Sequence, residues 1–145
     1  MSAAYLHLVT NHIPVTGIFF GLALLAVATF WKSADLQRFS LWFFVLVGLA
    51  TLIVYFTGEP AEEVVEKIAG VAKEAIEEHE DAALFGLIAV EIIAVLSALG
   101  LFAGLARRRW FMPALLVIVL WASAVLARVA YLGGQIRHTE FSSTQ

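Results

Sequence analysis

The chain has no cysteine, only three prolines and two methionines, and only 14% charged residues among its 145. Without cysteine there is no disulfide, no thiolate metal centre and no covalent haem attachment through a Cys-x-x-Cys-His motif, so any cofactor falls to imidazole, carboxylate or backbone. So little charge, set beside a 61% hydrophobic composition and a mean hydropathy of +0.89, excludes an ordinary soluble domain. Also missing are a phosphate-binding glycine loop, a nucleophile elbow, a Ser-x-x-Lys pair and a zinc-protease helix. The net charge is −3, and the one basic cluster, Arg107-Arg108-Arg109, has an explanation in membrane orientation. Nucleic acid is therefore not an expected partner.

What is present is apolar sequence in four runs, approximately Ile13 to Trp31, Ser40 to Thr57, Ala82 to Ala106 and Trp110 to Leu132. Each is near the roughly 20 residues that cross a hydrocarbon core of about 30 Å. Backbone groups in lipid must be paired within the segment, so the runs are expected to be helices. Short connections make neighbours antiparallel, and the expected fold is all-α: one domain over residues 1–145, an integral membrane up-and-down four-helix bundle.

Loop charge sets the expected orientation. Lys32 and Arg38 follow the first run and the arginine triplet follows the third, whereas the second connection carries nine acids against Lys67 and Lys73. By the positive-inside rule both termini face outward. The first run lacks a basic leader and is followed at once by Lys32, as expected of an anchor and not of a cleavable signal. The hydrophilic connection opens with Thr57-Gly58-Glu59-Pro60, which suits a helix start. Its apolar positions Val65, Ile68, Ala72 and Ile76 recur at three and four residues, so an amphipathic outer-surface helix is expected over residues 60–79, with Gly70 interrupting it. His79 continues that stripe and should point toward the protein.

All four histidines, His7, His12, His79 and His138, fall at the outward end of these segments, and imidazole is the commonest metal and haem ligand. A faint repeat relates the hairpins: Phe20-Gly21-Leu22 matches Phe85-Gly86-Leu87, and Val54-Tyr55-Phe56-Thr57-Gly58-Glu59 matches Ala130-Tyr131-Leu132-Gly133-Gly134-Gln135. On that alignment His12 and His79 hold equivalent places and would meet across a cofactor. Haem b, one or two per chain, is the favoured group. Gly86 would give a porphyrin room beside the His79 helix, with Gly17 and Gly21 thinning the first helix, and Arg128 and Arg137 would reach its propionates. Close helix packing is the other reading of these glycines. His7 lies about 140° around the helix from His12, so a second site would join His7 to His138. Pro14 is expected to bend the start of the first run.

Glu91 and Arg128 fall inside apolar runs, where ionisable groups tend to be paired or functional. They are expected to face each other as an ion pair locking the second hairpin, or to leave Glu91 as a proton acceptor beside a quinone or haem. The rival chemistry is a non-haem Cu, Zn or Fe site using histidine with Glu59, Glu62, Glu63, Glu66 or Glu140, in a membrane scaffold without haem. Contiguous Glu78-His79-Glu80 diverges on a helix, and the acids read more simply as a solvated face that attracts a basic partner.

The opening His7-Leu8-Val9-Thr10-Asn11-His12-Ile13-Pro14 resembles the His-Pro-x-x-Val-His-Phe-Pro start of an uncharacterised family of four-helix bacterial membrane proteins. Tyr131-Leu132-Gly133-Gly134 followed by His138 is similar to that family's closing segment, and His79 to its histidine entering the third helix. Relatives fused to c-type cytochrome domains imply electron transfer and a b-haem bundle in the bacterial cytoplasmic membrane, with His7, His12, His79 and His138 as haem ligands facing the periplasm. The expectation is thus a membrane b-type cytochrome working between the quinone pool and an outer-face partner, a c-type cytochrome or respiratory complex subunit, and not a stand-alone enzyme.

Overall fold

A computed structural model of the chain describes residues 3–65 and 73–137, and every regular element among them is helical. Helix α1 (Ala3–Thr10) runs almost directly into α2 (His12–Phe30). Pro14 has no N–H to offer the Thr10 carbonyl, so the hydrogen-bond ladder breaks at Asn11. Asn11 nevertheless keeps right-handed helical angles (φ −59, ψ −21), and its N–H bonds the His7 carbonyl at 2.8 Å, so the two segments behave as one long rod. In the same way α3 (Ala34–Phe56) passes through Thr57, also right-handed, into α4 (Gly58–Val65). Helix α5 (Lys73–Phe102) and helix α6 (Phe111–Arg137) complete the set, joined through a single 3-10 turn at Leu105–Arg107.

Four of these stretches, Ala4–Phe30, Ala34–Val64, Lys73–Phe102 and Phe111–Ile136, are long and apolar enough to cross a membrane. They form a closed ring: α2 packs on α3 and α6, and α5 packs on the same two. Ile18 and Leu25 of α2, Phe44 of α3, Ile93 of α5, and Leu115 and Val119 of α6 meet inside with 1% exposure or less. The outward faces carry large apolar side chains such as Phe20, Leu46, Phe85 and Val117, as a lipid-facing surface requires.

At a rise of 1.5 Å per residue the stretches measure about 39 to 46 Å, against a hydrocarbon core of about 30 Å. The excess lies at one end. The turns at the opposite, basic end are tight: Lys32 takes φ 51, Ser33 caps α3 by accepting from the Leu36 N–H at 3.4 Å, and Gly104 takes φ 69. At the acidic end the helices run on, α1 packing against α4, because a helix pairs its own backbone and needs no lipid to continue. The expected outer-surface helix over residues 60–79 is therefore corrected. Residues 58–65 extend the second of these long apolar helices, residues 73–79 are the first two turns of the third, and Val65 as a side chain, Ile68, Gly70 and Ala72 lie outside the described atoms. The third run also stops earlier than Ala106, because Gly104 leaves the helical region.

Gly104→Ala is expected to destabilise the fold by about 1–2 kcal/mol, since a side chain disfavours left-handed angles. Thermal unfolding in detergent measures it. The added methyl would meet only the flexible guanidinium of Arg107, at 3.0 Å, so an unchanged midpoint would mean that the turn relaxes into another geometry.

Candidate functional site

The inward face of the first rod can be read in a four-three rhythm. Pro14, Ile18, Gly21, Leu25 and Ala28 are buried, and continuing the same rhythm backward gives Asn11 and then His7. His12 falls off this stripe and is exposed beside exposed Ile13. On α5 the buried positions Ile76, Gly86, Val90, Ile93, Ser97 and Gly100 define the inward face, and half-buried His79 belongs to it, as expected.

His7 and His79 therefore both turn into the acidic end of the bundle, near enough for the charge of one to act on the other. Their settings are alike. The Nδ1 of His7 lies 2.9 Å from the Val54 carbonyl of α3, and four residues on, Gly58 faces the ring, where a Cβ would stand 3.6 Å from Cε1. The ring of His79 interacts with the Val129 backbone of α6, and four residues on, Gly133 faces it, where a Cβ would stand 2.9 Å from Cε1. Each hairpin thus presents one imidazole over a Val-x-x-x-Gly step of its own returning helix. The equivalence between hairpins is His7 with His79, which corrects the pairing of His12 with His79.

Hydrogen bonding fixes part of the chemistry. A carbonyl only accepts, so Nδ1 of His7 carries the hydrogen and Nε2 of the neutral ring keeps its lone pair, the arrangement by which a backbone carbonyl orients a metal-binding histidine. The Thr57 hydroxyl, 3.4 Å from the same Nδ1, donates to the Ile53 or Val54 carbonyl of its own helix, each at 2.9 Å. On His79 it is Nδ1 that is buried without a hydrogen-bond partner. The Oδ1 of Asn11, one turn along from His7, is a second buried atom without one at this end. Asn11 was not singled out by motif; the stripe beginning at His7 is the signal that finds it.

Other expected site residues are placed differently. Gly86 offers no slot, because a Cβ there would stand 3.2 Å from Val129 and 3.7 Å from Leu126, and its role is close packing of α5 on α6. Gly17 and Gly21 likewise pack against Val47 and Phe44. Arg128 is exposed on α6. His138 lies outside the described residues, and Arg137 is described only as the last residue of α6.

The Glu91–Arg128 ion pair is not formed. Helices α5 and α6 are antiparallel with Gly86 against Leu126 and Val129, so Arg128 sits near the level of Gly86, about 8 Å along the axis from Glu91. Glu91 instead faces Gly48 of α3, where a Cβ would stand 3.5 and 3.6 Å from its carboxylate oxygens. Among the described residues no three histidine, aspartate or glutamate side chains gather as a metal-ion site.

Comparison with known proteins returned no matching family model, no matching curated protein and no matching solved structure.

Proposed function

We propose that this chain is a small membrane b-type cytochrome in which His7 and His79 hold one haem b at the acidic end of the bundle. The observation that carries the reading is the convergence of two similarly cradled imidazoles from different hairpins, one with its Nε2 freed by the Val54 carbonyl and the other with Nδ1 unpartnered. Haem iron brings four equatorial nitrogens and asks the protein for only one or two imidazoles, whereas a structural zinc asks for four ligands. With no trio of ligating side chains among the described residues, the donor set fits the former. When bound, such a group supplies one-electron exchange.

The chain's own residues supply the rest. The Val54 carbonyl and Gly58 orient His7, Val129 and Gly133 seat His79, and Val54 itself, Ile76 and Leu132 close the end of the bundle against water. Exposed Glu59, Glu63, Glu74, Glu78, Glu80 and Asp81 surround that end and would draw a basic partner such as a soluble c-type cytochrome, with electrons exchanged at the other side of the reaction with lipid quinone. Lys32, Arg38 and Arg107 to Arg109 favour an orientation in a bacterial cytoplasmic membrane with their end inside and the histidines at the periplasmic face.

A reduced-minus-oxidised visible spectrum of the purified protein, with metal analysis on the same sample, tests this. A b-type band is expected at about one haem per chain. Folded protein with no haem band would end the reading, and copper, zinc or iron found in its place would reassign the histidine pair to a bare ion.

A further inference from the structure

Glu91 is left over from the site just described. It lies twelve residues from His79 on α5, about 18 Å along the helix, near the middle of the apolar stretch. On one side of it Val90, Ile93 and Ala94 are buried in the bundle; on the other Ile88, Ile92 and Val95 are 44% to 58% exposed on the apolar surface. The carboxyl therefore stands in the seam between α5 and α3, half covered, and Gly48 is the α3 residue that makes room for it. One oxygen, Oε1, is buried without a hydrogen-bond partner.

Among the described residues no compensating charge is within reach. The titratable groups of α3 are Asp35 and Arg38 at the basic end and Tyr55, two turns away from Gly48 toward the acidic end. On α6 they are Arg128, exposed and at the level of Gly86, and Tyr131 and Arg137 beyond it. On α5 itself the nearest is Asp81, ten residues off. An ion pair is thus ruled out for Glu91 among the described residues, and packing does not require it either, since an apolar side chain would fill the same seam. An unpaired carboxylate facing hydrocarbon is costly, and the group that relieves the cost with no countercharge is a proton.

We propose that Glu91 is a proton-binding site of the membrane interior, taking up and releasing a proton at the α3–α5 seam with its open side toward lipid. The proposal is independent of any cofactor at the histidine pair.

Carbodiimide labelling of the full chain in phospholipid vesicles tests it. A carbodiimide adds to a carboxylic acid by taking its proton onto nitrogen while the carboxylate oxygen bonds to the central carbon, so the reaction reports the protonated form. Dicyclohexylcarbodiimide, which partitions into lipid, is expected to give an adduct on the peptide containing Glu91, with a yield that falls as pH is raised. A water-soluble carbodiimide is expected to modify acidic-end residues such as Glu63 and Glu78 and to leave Glu91 unmodified. Glu91→Gln should lose the adduct, and Glu91→Asp should keep one at the same position. Wild-type protein whose Glu91 stays unlabelled by the apolar reagent at every pH, or is labelled equally by the water-soluble one, overturns the proposal, and neither result depends on a variant folding.

Discussion

Alanine at His7 or at His79 is expected to abolish the haem band, lowering occupancy at least tenfold, while alanine at His12 leaves occupancy and spectrum unchanged. The contrast follows from the helical stripe. His7 and His79 lie on the inward faces of their helices at the same end of the bundle, whereas His12 is exposed on the first turn of α2. The His7 ring is also oriented by the Val54 carbonyl of the neighbouring helix, so on the proposed reading its removal takes away a ligand already aimed. Loss of haem after His79→Ala could reflect collapse of the ring's seat on Gly133, and a second variant separates the causes. His79→Gly in membranes given free imidazole should regain the band if the ring acts as a ligand, because the small molecule can occupy the emptied place. A band lost from His12→Ala and kept in His7→Ala would reverse the assignment.

A related difference between the two cradles sharpens the test. A Cβ at Gly133 would press the His79 ring at 2.9 Å, while one at Gly58 would meet the His7 ring at an ordinary 3.6 Å. Gly133→Ala should therefore shift the haem spectrum or lower occupancy several-fold, and Gly58→Ala should do neither. Spectra of the two variants at matched protein levels check this.

The four helices long and apolar enough to cross a membrane were legible because some twenty apolar residues in lipid must pair their backbone internally, and hydropathy alone locates such segments. The ends were not legible by the same signal, since Gly58–Val65 and the first turns of α5 are helical in polar sequence, with α4 packed on α1. His79 continues the inward stripe from buried Ile76, the one residue of its expected stripe whose side chain is described. His7 was expected in a second site with His138 because the faint repeat aligned His12 with His79, whereas the phase set by Gly21, Leu25 and Ala28 carries back to His7. The Glu91–Arg128 pair failed on depth: two opposite charges in apolar sequence invite pairing, but antiparallel register, fixed by contacts such as Gly86 on Val129, decides which levels meet.

The largest effect on the fold itself is expected where α2 meets α3. Phe44 is 1% exposed, and its ring sits where a Gly21 side chain would be, so the glycine acts as a socket for the phenyl group. Phe44→Ala should destabilise the bundle by about 3–5 kcal/mol, through lost contacts and the cavity left behind. Gly21→Leu, made alone, forces the new side chain against the ring and should cost about 1–3 kcal/mol by overpacking. Made together the two changes compensate in volume, leucine on α2 entering the space vacated on α3. The double variant is therefore expected to be less destabilised than the sum of the single ones by at least about 1 kcal/mol, because the residues share one contact. Unfolding free energies of all four proteins in one detergent give the coupling. Single effects that simply add, within about 0.5 kcal/mol, would mean that the helices separate or slide at this level and that Gly21 and Phe44 do not define the α2–α3 interface.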